Sequence, residues 1–306
     1  MATVPATPAP DVVEGRPLRR RLSALVYRHP GSKLALLLGP TMVWMVVVYL
    51  GALTLLFVSA FWRVDPLTST VQHKWGLQNF HTMVQDPVYL KIAFRTLGIA
   101  VAVTVTDIVL AFPLAYYAAR LASPRMRSAI LVAVVLPLWS SYLVRVFAWR
   151  TVLQDNGPAD WLFRNVLHVG SLKLGFTNWA VWLTFVYLWL PFTALPIYAA
   201  LERIPQSYLE ASGDLGGKGW NTFRRVVLPL ALPGIIAGSI FAFSLTLGDY
   251  IAPILVGNTK FIGNVVHDFS GVANNVPFAA AYALVPVVII GAYLLFARRL
   301  GAFEAL

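Results

Sequence analysis

The sequence predicts an all-α, polytopic membrane protein, and three observations carry that reading. Of its 306 residues 58% are hydrophobic and only 12% are charged, against roughly 25% charged in an ordinary soluble domain. Six apolar runs, at about 34–61, 96–119, 128–149, 177–200, 230–255 and 278–297, each reach the length of about 20 residues that a helix needs to cross a bilayer. Those six runs contain only three formally charged side chains, Asp107, Arg145 and Asp249. A membrane β-barrel is excluded, because its strands read as short alternating segments.

Residues 1–15 are rich in Ala, Pro and Val with two acids, and are expected to form a disordered tail. They do not read as a cleaved signal peptide, since the basic cluster follows them and the first apolar run is too long for a signal core. In the basic segment 16–33, Leu18, Leu22, Leu25 and Val26 fall near one helical face with arginines elsewhere. That suits a helix lying at the membrane surface, and a solvated basic tail stays open as the other reading. From residue 34 onward the expectation is one six-span domain running to residue 306.

Lys and Arg set the orientation. Numbering the inter-span segments alternately, one set holds 15 of the 24 basic residues and the other holds 8, with Arg145 inside a span. Basic residues concentrate on the cytoplasmic side, so both termini and the 201–229 loop are expected in the cytoplasm. The net charge of +11 is thereby assigned to topology, and no nucleic-acid partner is expected. Pro40, Pro113, Pro137, Pro191, Pro196, Pro233, Pro253 and Pro286 lie in or beside the spans. Each removes a backbone donor and crowds the preceding turn, which predicts kinks. The outer segments, about 62–95, 150–176 and 256–277, mix turn formers with aromatics and predict ordered loops or short helices.

One loop stands apart. Residues 207–230, SYLEASGDLGGKGWNTFRRVVLPL, are polar and helix-capable between two apolar runs. Ser207 and Glu210 have the spacing of a capping box, and Gly216-Gly217 offers a left-handed stop, predicting a helix over about 207–215. A second helical segment from Trp220 then leads through Arg224 and Arg225 into the fifth span. Composition alone leaves a docking element and a well-capped loop equally open.

The motif resolves this by resemblance. Glu210-Ala211-Ser212, then Gly216, then Val226-Val227-Leu228-Pro229 resembles the Glu-Ala-Ala…Gly…Ile-x-Leu-Pro signature of ABC-importer permeases in spacing throughout. Ser replaces the third-position Ala, and Val replaces Ile. Further stretches, PLWSSYLVRVFAWRTVLQDNG (137–157), LPFTALPIYAALERIP (190–205) and GSIFAFSLTLGDYIAPILVGN (238–258), resemble the permeases of spermidine/putrescine importers. The likeness implies the six-helix fold of a type I ABC importer permease in a bacterial inner membrane. It implies that the 207–216 helix, with Glu210, Ala211, Ser212, Gly216, Leu228 and Pro229, couples to a cytoplasmic ATPase. It also implies a second homologous permease, two ATPase copies and an extracytoplasmic binding protein. The chain has no Gly-x-x-x-x-Gly-Lys-Ser/Thr phosphate loop, so ATP and Mg are expected on the partner ATPase and no cofactor on this chain.

Charges inside spans are costly, at least ~2.5–3.5 kcal/mol at a helix centre, and usually face the bundle interior. Helical spacing gives them small or polar company: Thr104 and Ala111 beside Asp107, Ser141, Tyr142 and Trp149 beside Arg145, and Ser239, Ala242 and Thr246 beside Asp249. The topology puts Arg145 and Asp249 at similar depth, where they could pair, and leaves Asp107 nearer mid-membrane without a charged partner. Two readings follow. Asp107, Asp249, Tyr142, Arg145, Trp149 and Tyr250 line a path for an organic cation, with aromatic faces adding about 0.5–2 kcal/mol per contact, or the charges are structural. A membrane-embedded enzyme is disfavoured: there is no Cys, His-Glu-x-x-His is absent, and all five His lie outside the runs. A passive channel would need no ATPase-docking motif. A permease for an amino acid, phosphonate, thiamine or ferric iron stays open.

Overall fold

The structure is a computed structural model that describes residues 30–65, 68–168, 170–171 and 173–299. The expected tail at 1–15 and most of the basic segment at 16–33 lie outside the described residues, as does the chain beyond 299. Two compact units are present, one ending at Leu56 and one beginning at Phe57.

In the first unit α1 (Pro30–Met45) passes through a π turn (Val46–Leu50) into α2 (Gly51–Ser59). The apolar stretch Leu37–Ser59 is long enough to cross a membrane. Within it the Thr54 hydroxyl donates to the Leu50 carbonyl at 2.7 Å, satisfying a polar group inside its own helix.

The second unit opens with a two-residue antiparallel ribbon, β1 (Arg63–Val64) on β2 (Val71–Gln72), a small addition to the all-α expectation. After α3 (Gln78–Gln85), α4 (Pro87–Tyr116) begins about nine residues before its apolar run. Local capping explains the early start: the Asp86 carboxylate accepts from the Val88 amide at 2.9 Å, and Pro87 occupies the first turn, where its missing N–H costs nothing. α4 runs through a π turn (Tyr117–Leu121) to a sharp turn, and Ser123 then caps α5 (Pro124–Val135).

The third apolar run is not one helix, which corrects the expectation of a continuous span over 128–149. α5 ends in a 3-10 turn (Leu136–Trp139), and α6 (Tyr142–Leu153) sets off at 98° to it. Pro137 lacks a donor for the helix to continue on. Ser140 is extended, at φ −86° and ψ 150°, and its hydroxyl closes the turn by donating to the Pro137 carbonyl at 2.8 Å. α7 (Pro158–Trp161) and a π turn (Leu162–Val166) follow.

α8 (Asn178–Glu202) keeps its predicted limits closely, with the Thr177 hydroxyl accepting from the Ala180 amide at 3.3 Å. The loop then forms α9 (Gln206–Asp214) and α10 (Gly219–Thr222), which runs through a π turn (Phe223–Val227) into α11 (Leu228–Gly248). The fifth span also breaks, earlier than the predicted 255. Asp249 turns extended at φ −74° and ψ 133°. Its Oδ1 accepts from the amides of Ile251 at 2.8 Å and Ala252 at 3.0 Å, starting the short α12 (Ile251–Val256). α13 (Ile262–Ser270) and α14 (Val276–Arg299) complete the described residues. Among the described residues five helices are long and apolar enough to span, six when the bent pair counts as one.

α4, α8 and α11 pack together at the centre of this unit. Toward the Asn178 end of α8, Val103, Val146, Phe185, Leu188 and Ala242 form one buried cluster. Toward the Glu202 end, Ala111, Ala115, Ile197, Leu201, Val227 and Ala231 form a second. The α8–α11 seam is close because α11 presents glycines a turn apart. A Cβ on Gly234 would lie 2.4 Å from Ala200 Cβ and 2.5 Å from the Pro196 carbonyl oxygen, and one on Gly238 would lie 2.8 Å from the Thr193 carbonyl oxygen. Close approach through small residues is how apolar helices gain dispersion contact where lipid offers no hydrophobic contrast.

Candidate functional site

The polar loop builds a compact knob. α9 starts one residue before the predicted position, and the expected capping box does not form. Pro205 occupies the N-cap position with φ −62° and ψ 140°, and no side chain caps the helix. Its fixed φ lets the helix begin directly after it, which puts Ser207 inside the first turn instead of at the cap. The other end is as expected. Gly216 takes φ +77°, its amide donates to the Gly213 carbonyl at 2.9 Å, and the Gly217 amide donates to the Ser212 carbonyl at 2.8 Å. Those two bonds are the pattern of a Schellman stop.

The knob folds back on itself through Ser212. Its hydroxyl is 2.8 Å from that of Thr222 on α10. A Cβ on Gly217 would meet both the Ser212 carbonyl oxygen and the Ser212 Oγ at 2.6 Å, so this tight approach requires glycine. Leu209 packs inward on the Ile204–Val227 cluster, and Phe223 sets its ring edge-on to Phe112 of α4 at 5.5 Å. Glu210, Ala211 and Pro229 face outward while Ser212 and Leu228 are half-buried. Outward too go Leu215, 90% exposed, Trp220, 70% exposed, and Tyr208, 53% exposed. Sequence reasoning missed these three. The legible signal was their presence, as large apolar side chains, in a loop otherwise polar.

At the other end of the bundle the two broken spans meet. The Tyr142 hydroxyl, at the restart of the third span, donates to Asp249 Oδ2 at the break in the fifth. Asn264 holds the same break, its Nδ2 donating to the Tyr250 carbonyl at 2.8 Å. A Cβ on Gly263 would strike the Asp249 carbonyl at 2.7 Å. The Tyr142 ring stacks with Trp189 at 6.2 Å, and Tyr250 stacks on His267 at 4.5 Å. Asp249 and Tyr250 line an open cleft of about 380 Å³ with Trp189, Ser244, Leu245, Gly248 and Ile251. Among the described residues, no group of three or more His, Asp and Glu side chains could share a metal ion.

A family model described as the inner membrane component of binding-protein-dependent transport systems matches residues 100–302. The chain belongs to that family. It is 44% identical over 304 residues to the inner membrane ABC transporter permease protein YdcU of Escherichia coli K12, covering 95% of this chain and 97% of that one. It is 31% identical over 259 residues to the spermidine/putrescine transport system permease protein PotB of the same organism, covering 82% and 92%. In fold it matches a permease chain from a bacterial alginate ABC transporter in complex with an alginate pentasaccharide-bound periplasmic protein. That match has a TM-score of 0.72 at 18% identity and covers 90% of this chain and 96% of that one. This protein is therefore a multi-pass inner-membrane permease of an ABC importer, with the type I permease fold.

The permease brings Tyr142, Asp249 and Tyr250 together, and adds Trp189, which sequence reasoning had not singled out. It does not pair Arg145 with Asp249. With both spans broken, Tyr142 takes the Asp249 oxygen, and Arg145 lies with its guanidinium carbon 6.0 Å from the Tyr142 ring centre. Arg145 Nε and Nη1 are buried without a hydrogen-bond partner among the described residues. Trp149 packs instead against Tyr187, at 5.2 Å. Asp107 is fully buried in α4, neither carboxylate oxygen has a partner among the described residues, and it is not among the residues that line the cleft.

Proposed function

We propose that this permease forms, with a second homologous permease, a pathway for polyamine uptake. Two cytoplasmic ATPase subunits, which hold ATP and Mg, drive it, and an extracytoplasmic binding protein supplies the solute. The observation that carries the solute class is the cleft where Asp249 sits among Trp189, Tyr142 and Tyr250. Each oxygen of a carboxylate offers two lone pairs, so Asp249 can accept from an ammonium while keeping Tyr142 and the two amides. Aromatic faces add attraction for an organic cation, and the likeness to PotB points the same way.

In this reading α9 is the coupling helix. It seats in the ATPase with Glu210 and Ala211 toward the partner and Leu215 and Trp220 as apolar anchors, on the cytoplasmic side together with both termini. Asp107 and Arg145 reach the pathway in another stage of the cycle. Uptake of labelled putrescine and spermidine by the reconstituted complex tests the solute. Asp249→Asn should lower uptake while leaving assembly intact, and parental uptake and affinity would defeat the cation assignment. If amino acids or other solutes stimulate the ATPase and polyamines do not, the solute class is wrong though the permease role stands.

A further inference from the structure

We propose that Arg120 and Arg127 form a clamp at the root of the coupling helix. It transmits the ATPase-driven movement of α9 into α4 and α5, and it rests on the assignment of α9 above. The root is the Glu202 end of α8, which reaches Pro205 and α9 within three residues. The last carbonyls of a helix lack donors within the helix and carry its negative dipole end. Arg120, in the π turn after α4, answers both needs. Its Nη2 donates to the carbonyls of Leu201 at 2.5 Å and Ile204 at 2.6 Å.

Arg127, in the first turns of α5, holds the same end from a second element. It forms an ion pair with Glu202, and its Nε donates to the Tyr198 hydroxyl. Its guanidinium carbon lies 5.4 Å over the Tyr198 ring. Two guanidinium groups, from elements on either side of the 122–123 turn, thus grip Tyr198, Leu201, Glu202 and Ile204.

The apolar contacts beneath, Ala115 and Ala111 against Leu201 and Ile197, resist separation but have no direction. A guanidinium on a pair of carbonyls and a carboxylate fixes register as well, since its planar fork holds one geometry. Without the clamp, a push on α9 is free to swing the chain at Arg203–Pro205, where α8 has already ended. With it, the push travels into two further spans.

The test uses the complete importer in proteoliposomes, reading ATP hydrolysed per solute imported together with co-purification of the ATPase. Arg127→Glu and Glu202→Arg should each raise that ratio about fivefold or more, the lower end of typical coupling between sites, with the ATPase still attached. Combining the two substitutions restores the opposite charges and should bring the ratio back toward parental. Arg120→Ala should uncouple, and Arg120→Lys should recover part of the coupling. A parental ratio in the single variants overturns the clamp. So does loss of the ATPase itself, because the arginines would then merely shape the docking surface. Gly216→Val in the same assay separates the premise: if it leaves attachment and ratio unchanged, α9 is not the coupling helix, whereas an effect there with none at Arg120 and Arg127 defeats the clamp alone.

Discussion

Replacing Gly234 by Ala tests the packing on which the whole bundle rests. The added methyl would lie 2.4 Å from Ala200 Cβ and 2.5 Å from the Pro196 carbonyl oxygen, whereas carbon atoms in good contact sit roughly 3.5–4.0 Å apart. Neither neighbour can turn away, since one is a backbone atom and the other has no rotamer. The helices must therefore part by about an ångström, at the upper end of the ~1–3 kcal/mol for overpacking. Against this stands the helix preference of Ala over Gly, about 0.8–1.0 kcal/mol. The net loss is about 2 kcal/mol, which at roughly 2–4 °C per kcal/mol for a chain of this size lowers the thermal midpoint by roughly 4–8 °C. Gly98→Ala in α4 is the control, because a Cβ there meets nothing within 4 Å. Only the propensity gain remains, and the midpoint should rise. Thermal unfolding of the purified permease in detergent reads both. If Gly234→Ala leaves the midpoint in place, or the two variants move it the same way, the reasoning about the α8–α11 seam is wrong.

Three further outcomes follow from the geometry. At Gly216, with φ +77°, a side chain costs roughly 1–2 kcal/mol, so Gly216→Ala should weaken ATPase co-purification while Gly216→Asn, whose side chain tolerates that conformation, should weaken it less; equal retention in both would contradict this. Tyr142→Phe removes the donor to Asp249 Oδ2 and should destabilise by about 1 kcal/mol, the usual net worth of a hydrogen bond whose half-buried acceptor can still reach an open cleft, with an unchanged unfolding midpoint counting against it. Asp107→Asn removes an ionisable carboxyl that has no partner among the described residues; it should leave thermal stability no lower while lowering uptake, and parental uptake would mean that the carboxyl has no part in transport.

What the sequence could and could not reveal divides along physical lines. Apolar runs, capping residues such as Asp86 and Thr177, and the Gly216 stop depend on neighbours in the chain, and all could be read locally. The two span breaks could not. Pro137 signals a kink but not a turn of 98°, and the bonds that hold the break in the fifth span and tie it to the third, Asn264 to Tyr250 and Tyr142 to Asp249, join residues 14 to more than 100 apart. The Arg145–Asp249 pair that depth alone allowed does not form, since placing both residues in straight helices gave a depth but no facing direction. The glycine seam was legible in principle, because Gly234 and Gly238 stand four apart in an apolar run.

The breaks and the seam divide the labour of the permease. α4, α8 and α11 are drawn together by side chains that tolerate no added methyl, and hydroxyls in the same helices, such as Thr104, Thr184 and Thr246, bond within their own turns at 2.7–2.8 Å. Among the described residues, the buried side-chain polar atoms left without a partner on those helices are few, the Asp107 carboxylate oxygens and the indole nitrogens of Trp182 and Trp189. The breaks present the reverse. Non-helical backbone at membrane depth is tolerated only where protein or a water-lined cavity satisfies it, and discontinuous helices are where transporters place their binding sites. In this chain the break in the fifth span borders the cleft and is tied to the break in the third by one hydroxyl-to-carboxylate bond. On the proposed solute assignment an ammonium would share the Asp249 carboxylate with the Tyr142 hydroxyl, each on its own lone pair, so the proposed binding group is also the group that ties the two broken spans. The stability and transport of Tyr142→Phe, measured together, bear on both.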